Sequence, residues 1–143
     1  MILLALDASV AAKWFLVAEE PFKNQALKVR EQYERGEVEF IIPDLFWPEL
    51  GNVLWKAVRQ GRCSLGDAEQ SLCAAKTLGL PAVPSEALVE SALTIASKYN
   101  RSFYDSLYVA LAVAYRVTLI TADEKLANAT AAHLPVKWLG AWV

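Results

Sequence analysis

Histidine is almost missing from this chain. Among 143 residues there is one, His133, so chemistry that depends on imidazole has a single poor candidate. Cysteine is nearly as scarce. Cys63 and Cys73 stand ten positions apart, form no CxxC pair, and with one histidine fall short of the four ligands of a structural zinc site. Free thiols in a reducing compartment follow, and the chain is expected to be cytoplasmic. An excess of positive charge is also lacking. Lys and Arg number 14 against 16 Asp and Glu, a formal net charge of −2, so nucleic acid would have to be held by a local patch. Long apolar runs are absent too. None approaches the roughly 18 residues of a membrane span, and the opening run Ile2–Leu6 is cut by Asp7 and has no basic segment before it. What is plentiful is apolar side chain, 55% against 21% charged, which excludes a disordered or acidic-tail protein. At this length one core suffices, and a single domain over residues 1–143 is expected.

The pattern along the chain alternates short apolar runs with helical periodicity. Ile2–Leu6 is continuous in apolar character, as in a strand buried on both faces. Ser9 is placed to cap a short helix through Leu16. A charged amphipathic helix over Glu20–Arg35 stops at Gly36, and a second strand covers Val38–Ile42. Asp44 is a suitable cap for a helix reaching about Gln60, whose apolar stripe is Leu50, Val53, Leu54, Ala57 and Val58. Ser64 and Asp67 form a capping box for a helix to Leu78. Ala82–Val83 reads as a brief strand, Ser85 as the cap of a helix to Tyr99, and Ser102 as the start of a helix to Tyr115. Val117–Thr121, a short helix from Asp123 and an edge strand over Val136–Leu139 complete the order. Strands alternating with helices in this way predict one α/β domain built on a parallel sheet.

In such a sheet ligands bind beyond the carboxyl ends of the strands. Asp7 directly follows the first strand, and Asp123 follows Val117–Thr121 after one residue, so both belong to one rim. Asp105 admits a reading as the third residue of a capping box after Ser102. The helix it opens, FYDSLYVALAVAY, is apolar on every side except at Asp105 and Ser106, as a central helix is. A carboxylate there is costly unless paired or hydrogen-bonded, which favours a role at the rim. Glu49 alone reads as a solvated helix-face residue; its place in the helix after the second strand brings it toward the same rim. Glu19, Glu20, Glu31, Glu34, Glu37 and Glu39 read as a solvated face. Four acids converging within a few ångströms stay ionised only around a multivalent cation, and oxygen ligands select Mg²⁺ or Mn²⁺. Metal-assisted phosphodiester hydrolysis needs no histidine.

Four segments carry these acids: ILLALDAS (Ile2–Ser9), Pro43–Trp55 around Glu49, SFYDSLYVALAVA (Ser102–Ala114) and LITADEKL (Leu119–Leu126). Together they resemble the four acidic motifs of PIN-domain ribonucleases, in particular the VapC-type toxins of type II toxin–antitoxin systems. The resemblance implies a three-layer α/β/α fold, with a mainly parallel sheet of roughly four or five strands and roughly seven helices. It implies a metal-dependent endoribonuclease in which Asp7 and Asp105 bind the metal, Mg²⁺ or Mn²⁺, while Glu49 and Asp123 complete the acidic pocket. It further implies an RNA substrate, an inhibitory antitoxin and a homodimer. Ser9 and Thr121 match hydroxyls beside the acids, and each has an equal reading as a cap or strand-end residue. Lys56, Arg59 and Arg62, with Arg101, are candidates for RNA phosphates; a solvated face explains the first three as well. Trp14, Phe15, Trp47 and Trp55 are expected in the core or on a partner face. The competing reading is a PIN-fold module that binds RNA or protein without cutting. A haloacid-dehalogenase-like phosphatase is weaker, because Ser9 stands where its second Asp is needed, and no GxGxxG supports a dinucleotide site.

Overall fold

The computed structural model describes residues 1–16 and 20–143. Glu19, one of the glutamates assigned to a solvated face, lies outside the described residues. Among the described residues, five strands form one sheet: β1 (Ile2–Leu6), β2 (Val38–Pro43), β3 (Ala82–Val83), β4 (Thr118–Thr121) and β5 (Val136–Trp138). They lie in the order β3-β2-β1-β4-β5, with every neighbouring pair parallel. The register sets Leu6 of β1 beside Ile120 of β4. Seven α-helices accompany them among the described residues: α1 (Ala8–Phe15), α2 (Lys23–Glu34), α3 (Phe46–Arg59), α4 (Leu65–Lys76), α5 (Val89–Tyr99), α6 (Phe103–Tyr115) and α7 (Glu124–Thr130).

Alternation along the strands splits the core in two. Leu4, Leu6, Phe40, Ile42 and Ile120 face α1, α2, α3 and α4, whereas Ala5, Ile41, Leu119 and Val136 face α5, α6 and α7. The result is the expected three-layer arrangement. Successive elements run from β1 outward to β2 and β3, then return to the other side of β1 as β4. The crevice beyond the carboxyl ends of β1 and β4 is therefore a topological switch point, where open α/β sheets bind ligands.

Several local expectations needed correction. Asp7, not Ser9, caps α1: its side chain accepts from the Ser9 N–H, and the helix begins two residues earlier than a Ser9 cap would place it. Helix α2 begins at Lys23 after Phe22 in a left-handed conformation, φ 60°, instead of at Glu20. Asp44 does not cap α3 through its side chain. That carboxylate accepts from the backbone N–H of Ser85, 3.0 Å away, and from the Ser85 hydroxyl, and these bonds hold it below the usual aspartate range. Ser85 in turn opens a 3₁₀ turn over Ser85–Leu88 in place of the first turn of α5. Glu20 is not a solvated residue. It stands 4.0 Å from Lys13 and 3.6 Å from Arg62. The Ser64 and Ser102 caps form as predicted, each hydroxyl accepting from the backbone N–H three residues on. Cys63 and Cys73 are free thiols. Among the described residues, no helix is long and apolar enough to cross a membrane.

Candidate active site

Four carboxylates from four different elements line a single cavity of about 700 Å³ at the switch point. Asp7 comes from the end of β1, Glu49 from the first turn of α3, Asp105 from the first turn of α6 and Asp123 from the turn after β4. Each position has a local cause. Asp7 and Asp123 are helix caps immediately beyond parallel strands, so their side chains must sit at the rim. Asp105 is fixed by the Ser102 cap, which turns the start of α6 toward that rim. Glu49 begins a stripe on α3 that continues with Asn52, Val53 and Lys56, all of them lining the cavity.

Asp7 lies at the bottom. It is 7% exposed, and its carboxylate accepts from the Thr121 hydroxyl at 2.7 Å and from the Ser9 N–H at 3.2 Å. Thr121 Oγ1 accepts in turn from the Asp123 N–H at 3.1 Å, so one hydroxyl links two of the acids. Ser9 lines the cavity beside the acids, and its hydroxyl accepts from the Ala122 N–H at 3.1 Å, fastening α1 to the turn after β4. Burial pushes the Asp7 carboxyl up to about 7, against the opposing pull of its two hydrogen bonds, with Glu49 and Asp105 adding repulsion. Burial likewise raises Glu49 and Asp105 above the usual carboxylate range, and neighbouring acids add to both shifts. As folded without a counter-ion, the cavity favours protons.

The acids share a cavity without forming a closed cage. Among the described residues, no three His, Cys, Asp or Glu side chains stand together at metal-holding positions. The expectation that all four lie within a few ångströms is met only as a common lining. Repulsion between desolvated carboxylates gives the physical reason for the spread. The donor set still suits a hard divalent ion, because it is all oxygen and carries more negative charge than its burial tolerates. An open cavity also suits magnesium, which keeps several of its waters.

Tyr108 escaped the sequence reading. It is 1% exposed, and its hydroxyl is buried with no hydrogen-bond partner of normal geometry. Asp7 and Glu49 both act on it electrostatically, so it lies beneath the acidic lining, and burial raises its pKa far above the ordinary tyrosine range. The one available signal was spacing. Tyr108 is three residues after Asp105, on the same face of α6. Tyr104, 60% exposed, forms part of the cavity wall.

The basic candidates separate. Lys56 lines the cavity and is exposed, and Arg59 is exposed further along α3. Arg62 turns away, its guanidinium bonded to Gln60 and 3.6 Å from Glu20. Arg101 donates to the Asn100 carbonyl at 2.8 Å and lowers the Asp105 pKa through its charge.

Comparison with known proteins agrees with this geometry. The PIN domain profile matches residues 4–132. Ribonuclease VapC1 of Mycobacterium tuberculosis is 38% identical over 96 residues, 66% of this chain and 71% of that protein. VapC ribonuclease Mb0985 of Mycobacterium bovis is 30% identical over 95 residues, 66% of this chain and 73% of that protein. Among solved structures, PAE2754 from Pyrobaculum aerophilum superposes with a TM-score of 0.67 at 25% identity, covering 90% of this chain and 80% of its own. A toxin–antitoxin complex from Klebsiella pneumoniae shares the fold, with a TM-score of 0.63 at 18% identity over 95% of this chain and 97% of that one. The chain belongs to the PIN-domain family, in its VapC-type group.

Proposed function

We propose that this chain is a divalent-metal-dependent endoribonuclease, the toxin of a toxin–antitoxin pair, acting in the cytoplasm as one domain over residues 1–143. The observation that carries the reading is the common cavity lined by Asp7, Glu49, Asp105 and Asp123 at the switch point of a PIN fold. The relatives named as VapC ribonucleases support the reaction class. Asp7 and Asp105 would hold Mg²⁺ or Mn²⁺, with Glu49 and Asp123 completing the shell. When bound, such an ion would supply Lewis-acid stabilisation of the phosphoryl group and would lower the pKa of a bound water, easing its deprotonation.

The protein's own groups have distinct tasks in this scheme. Thr121 and the Ser9 N–H fix both oxygens of Asp7, so its orientation is set before any ligand arrives. The Ser102 cap does the same for the start of α6 and thus for Asp105. Glu49, which lines the cavity and whose carboxyl burial raises above the ordinary glutamate range, is suited to take a proton from an attacking water. Lys56, at the cavity edge, is suited to hold a phosphate of the RNA chain. Exposed apolar side chains such as Leu65, Leu93 and Tyr115 provide surface for a partner, in keeping with a homodimer and an antitoxin.

The test is cleavage of structured and unstructured RNAs by the purified chain with Mg²⁺ or Mn²⁺, and with EDTA. Cleavage that EDTA abolishes is expected; cleavage indifferent to EDTA, or none with either metal, sinks the reading. A non-catalytic PIN-fold module is favoured by one observation, the absence of three preassembled ligands among the described residues. Calorimetric titration with Mn²⁺ separates the two, because a dead module binds no ion at these acids.

A further inference from the structure

The α3 stripe that lines the acidic cavity ends at Lys56, and Lys56 also borders a smaller notch with Trp55, Arg59 and Gln60. Trp55 is 54% exposed, the only one of the five tryptophans among the exposed large apolar residues. The others are engaged inside the fold. Trp14 donates to the Ala26 carbonyl at 2.7 Å, Trp142 donates to Gln32 at 2.8 Å, Trp47 packs edge-on to Phe46, and Trp138 meets Phe22. The Arg59 guanidinium lies 5.5 Å from the centre of the Trp55 ring. Neither Arg59 nor Lys56 pairs with a carboxylate among the described residues, whereas Arg30, Arg35 and Arg62 do.

We infer that Trp55, with Arg59 and Lys56, is a stacking platform for an unpaired base of single-stranded RNA next to the nucleotide being cut. The inference rests on the nuclease reading and adds to it the residues that hold a base beside the cleavage site. Every nucleobase has a π-face, and an exposed indole carrying a guanidinium offers both stacking and a contact for the flanking phosphate. Trp55 is six residues beyond Glu49, about 9 Å along the helix at 1.5 Å per residue. A base stacked there neighbours the reacting phosphate and does not belong to it. Bases inside an A-form duplex keep their faces covered by their neighbours, so a paired strand cannot use the platform. Lys56 beside the ring favours a phosphate-bearing ligand over a protein partner, because interface cores are depleted of lysine whereas tryptophan and arginine are common to both kinds of surface.

The experiment compares wild type, Trp55→Ala and Trp55→Phe for binding a fluorescein-labelled single-stranded oligoribonucleotide in EDTA, and the same strand annealed to its complement. The same proteins are then assayed for cleavage of both in Mn²⁺, and sized by gel filtration. Trp55→Ala is expected to weaken single-strand binding roughly 5- to 100-fold, with the duplex little affected. Trp55→Phe, which keeps a ring, is expected to recover most of the loss. Arg59→Ala should reduce the salt dependence of single-strand binding by about 0.7 in log–log slope. Equal single-strand binding and cleavage by wild type and Trp55→Ala overturns the platform while leaving the nuclease reading standing. An equal loss for strand and duplex overturns it as well. So does a changed oligomeric state with RNA binding intact, which would make Trp55 a protein-contact residue. A wild type that cuts neither RNA in Mn²⁺ removes the nuclease reading and the platform with it.

Discussion

Two helices deliver a carboxylate each to the same cavity from opposite faces of the sheet, and they are built differently. Helix α6 is buried continuously from Ser106 to Ala112, pressed against Ala5, Ile41 and Leu119. Helix α3 buries only Phe46, Leu50, Leu54 and Ala57, leaving Asn52, Trp55, Lys56 and Arg59 exposed. A residue on α6 therefore has its position dictated by packing in every direction, while a residue on α3 answers to one side only. The difference teaches where fixed chemistry and where variable recognition belong. Asp105 cannot be moved without repacking the core, whereas the solvent face of α3 can change its side chains at little cost to the fold.

Substitution of the two acids sharpens this contrast most. Asp105→Asn, like Asp7→Asn, is expected to lower RNA cleavage about a thousandfold or more, since several kcal/mol of charge stabilisation are lost. Glu49→Gln, on the more adaptable helix, is expected to lose roughly 10- to 100-fold, as groups that orient a metal shell do. Single-turnover cleavage in Mn²⁺ measures all three, with circular dichroism confirming an unchanged fold. A Glu49→Gln loss equal to that of Asp105→Asn would erase the distinction between the helices.

A second contrast sets the cavity floor against its walls and is read by pH. Asp7 has a folded pKa of about 7 against an ordinary value of 3.8. Between those values the folded chain keeps a proton that the unfolded chain has released, so the slope of stability with pH is negative there. The contribution is fully present below the unfolded pKa and is lost as pH rises through 7, at roughly 1.4 kcal/mol per pH unit inside the window. The metal-free protein is thus expected to melt at a lower temperature at pH 8 than at pH 5.5. Asp7→Asn should flatten most of that dependence. Calorimetry in EDTA across this range decides it; a wild-type melting temperature that does not fall with pH would mean that Asp7 is solvated or paired.

Much of this site was legible because strand ends are legible. Asp7 and Asp123 follow apolar runs directly, and the rule that parallel sheets bind ligands at their carboxyl ends assigns both to one rim before any coordinates exist. Asp105 stood out as the charge in an otherwise apolar helix. Glu49 was harder, since its helix has a polar face and only the topology turns that face inward. What pattern reading missed depends on contacts distant in sequence. Asp44 looked like the cap of α3, and its true partner Ser85 is 41 positions away. Glu20 looked solvated, and Arg62 looked free, until the fold joined them. Tyr108 was hidden by its own surroundings, because an apolar string gives no hint that one hydroxyl within it meets the acids from below.

The caps of the two helices differ as their burial does. Ser102 accepts from the Asp105 N–H at 3.0 Å and so begins α6, whereas Leu45, the residue before α3, supplies no side-chain cap. Ser102→Ala is expected to cost about 1 kcal/mol in urea denaturation, and to lower cleavage further by loosening Asp105. Asp44→Ala removes the bonds to Ser85, joining the start of α3 to the turn before α5. Its expected cost is similar, with RNA cleavage unchanged, because Asp44 does not line the cavity. A loss of cleavage in Asp44→Ala equal to that in Ser102→Ala would show that α3 depends on a fixed start after all.

The smallest expected effect belongs to Tyr108, and its sign is informative. Removing one partner of a buried hydrogen bond costs about 1–3 kcal/mol, because the other is left unsatisfied; removing a group that had no partner leaves nothing unsatisfied. The Tyr108 hydroxyl lies nearer the second situation: it meets Glu49 and the Ala8 backbone without the geometry of a normal hydrogen bond. Tyr108→Phe keeps the ring and its packing among Leu107, Leu111 and the sheet, so the metal-free variant is expected to be as stable as the wild type or slightly more so. A clear loss of stability would mean that the hydroxyl donates to Glu49 in solution. In that event the two helices are joined beneath the cavity by a bond from α6 to α3, and Glu49 is held from below almost as firmly as Asp105 is held by its own helix.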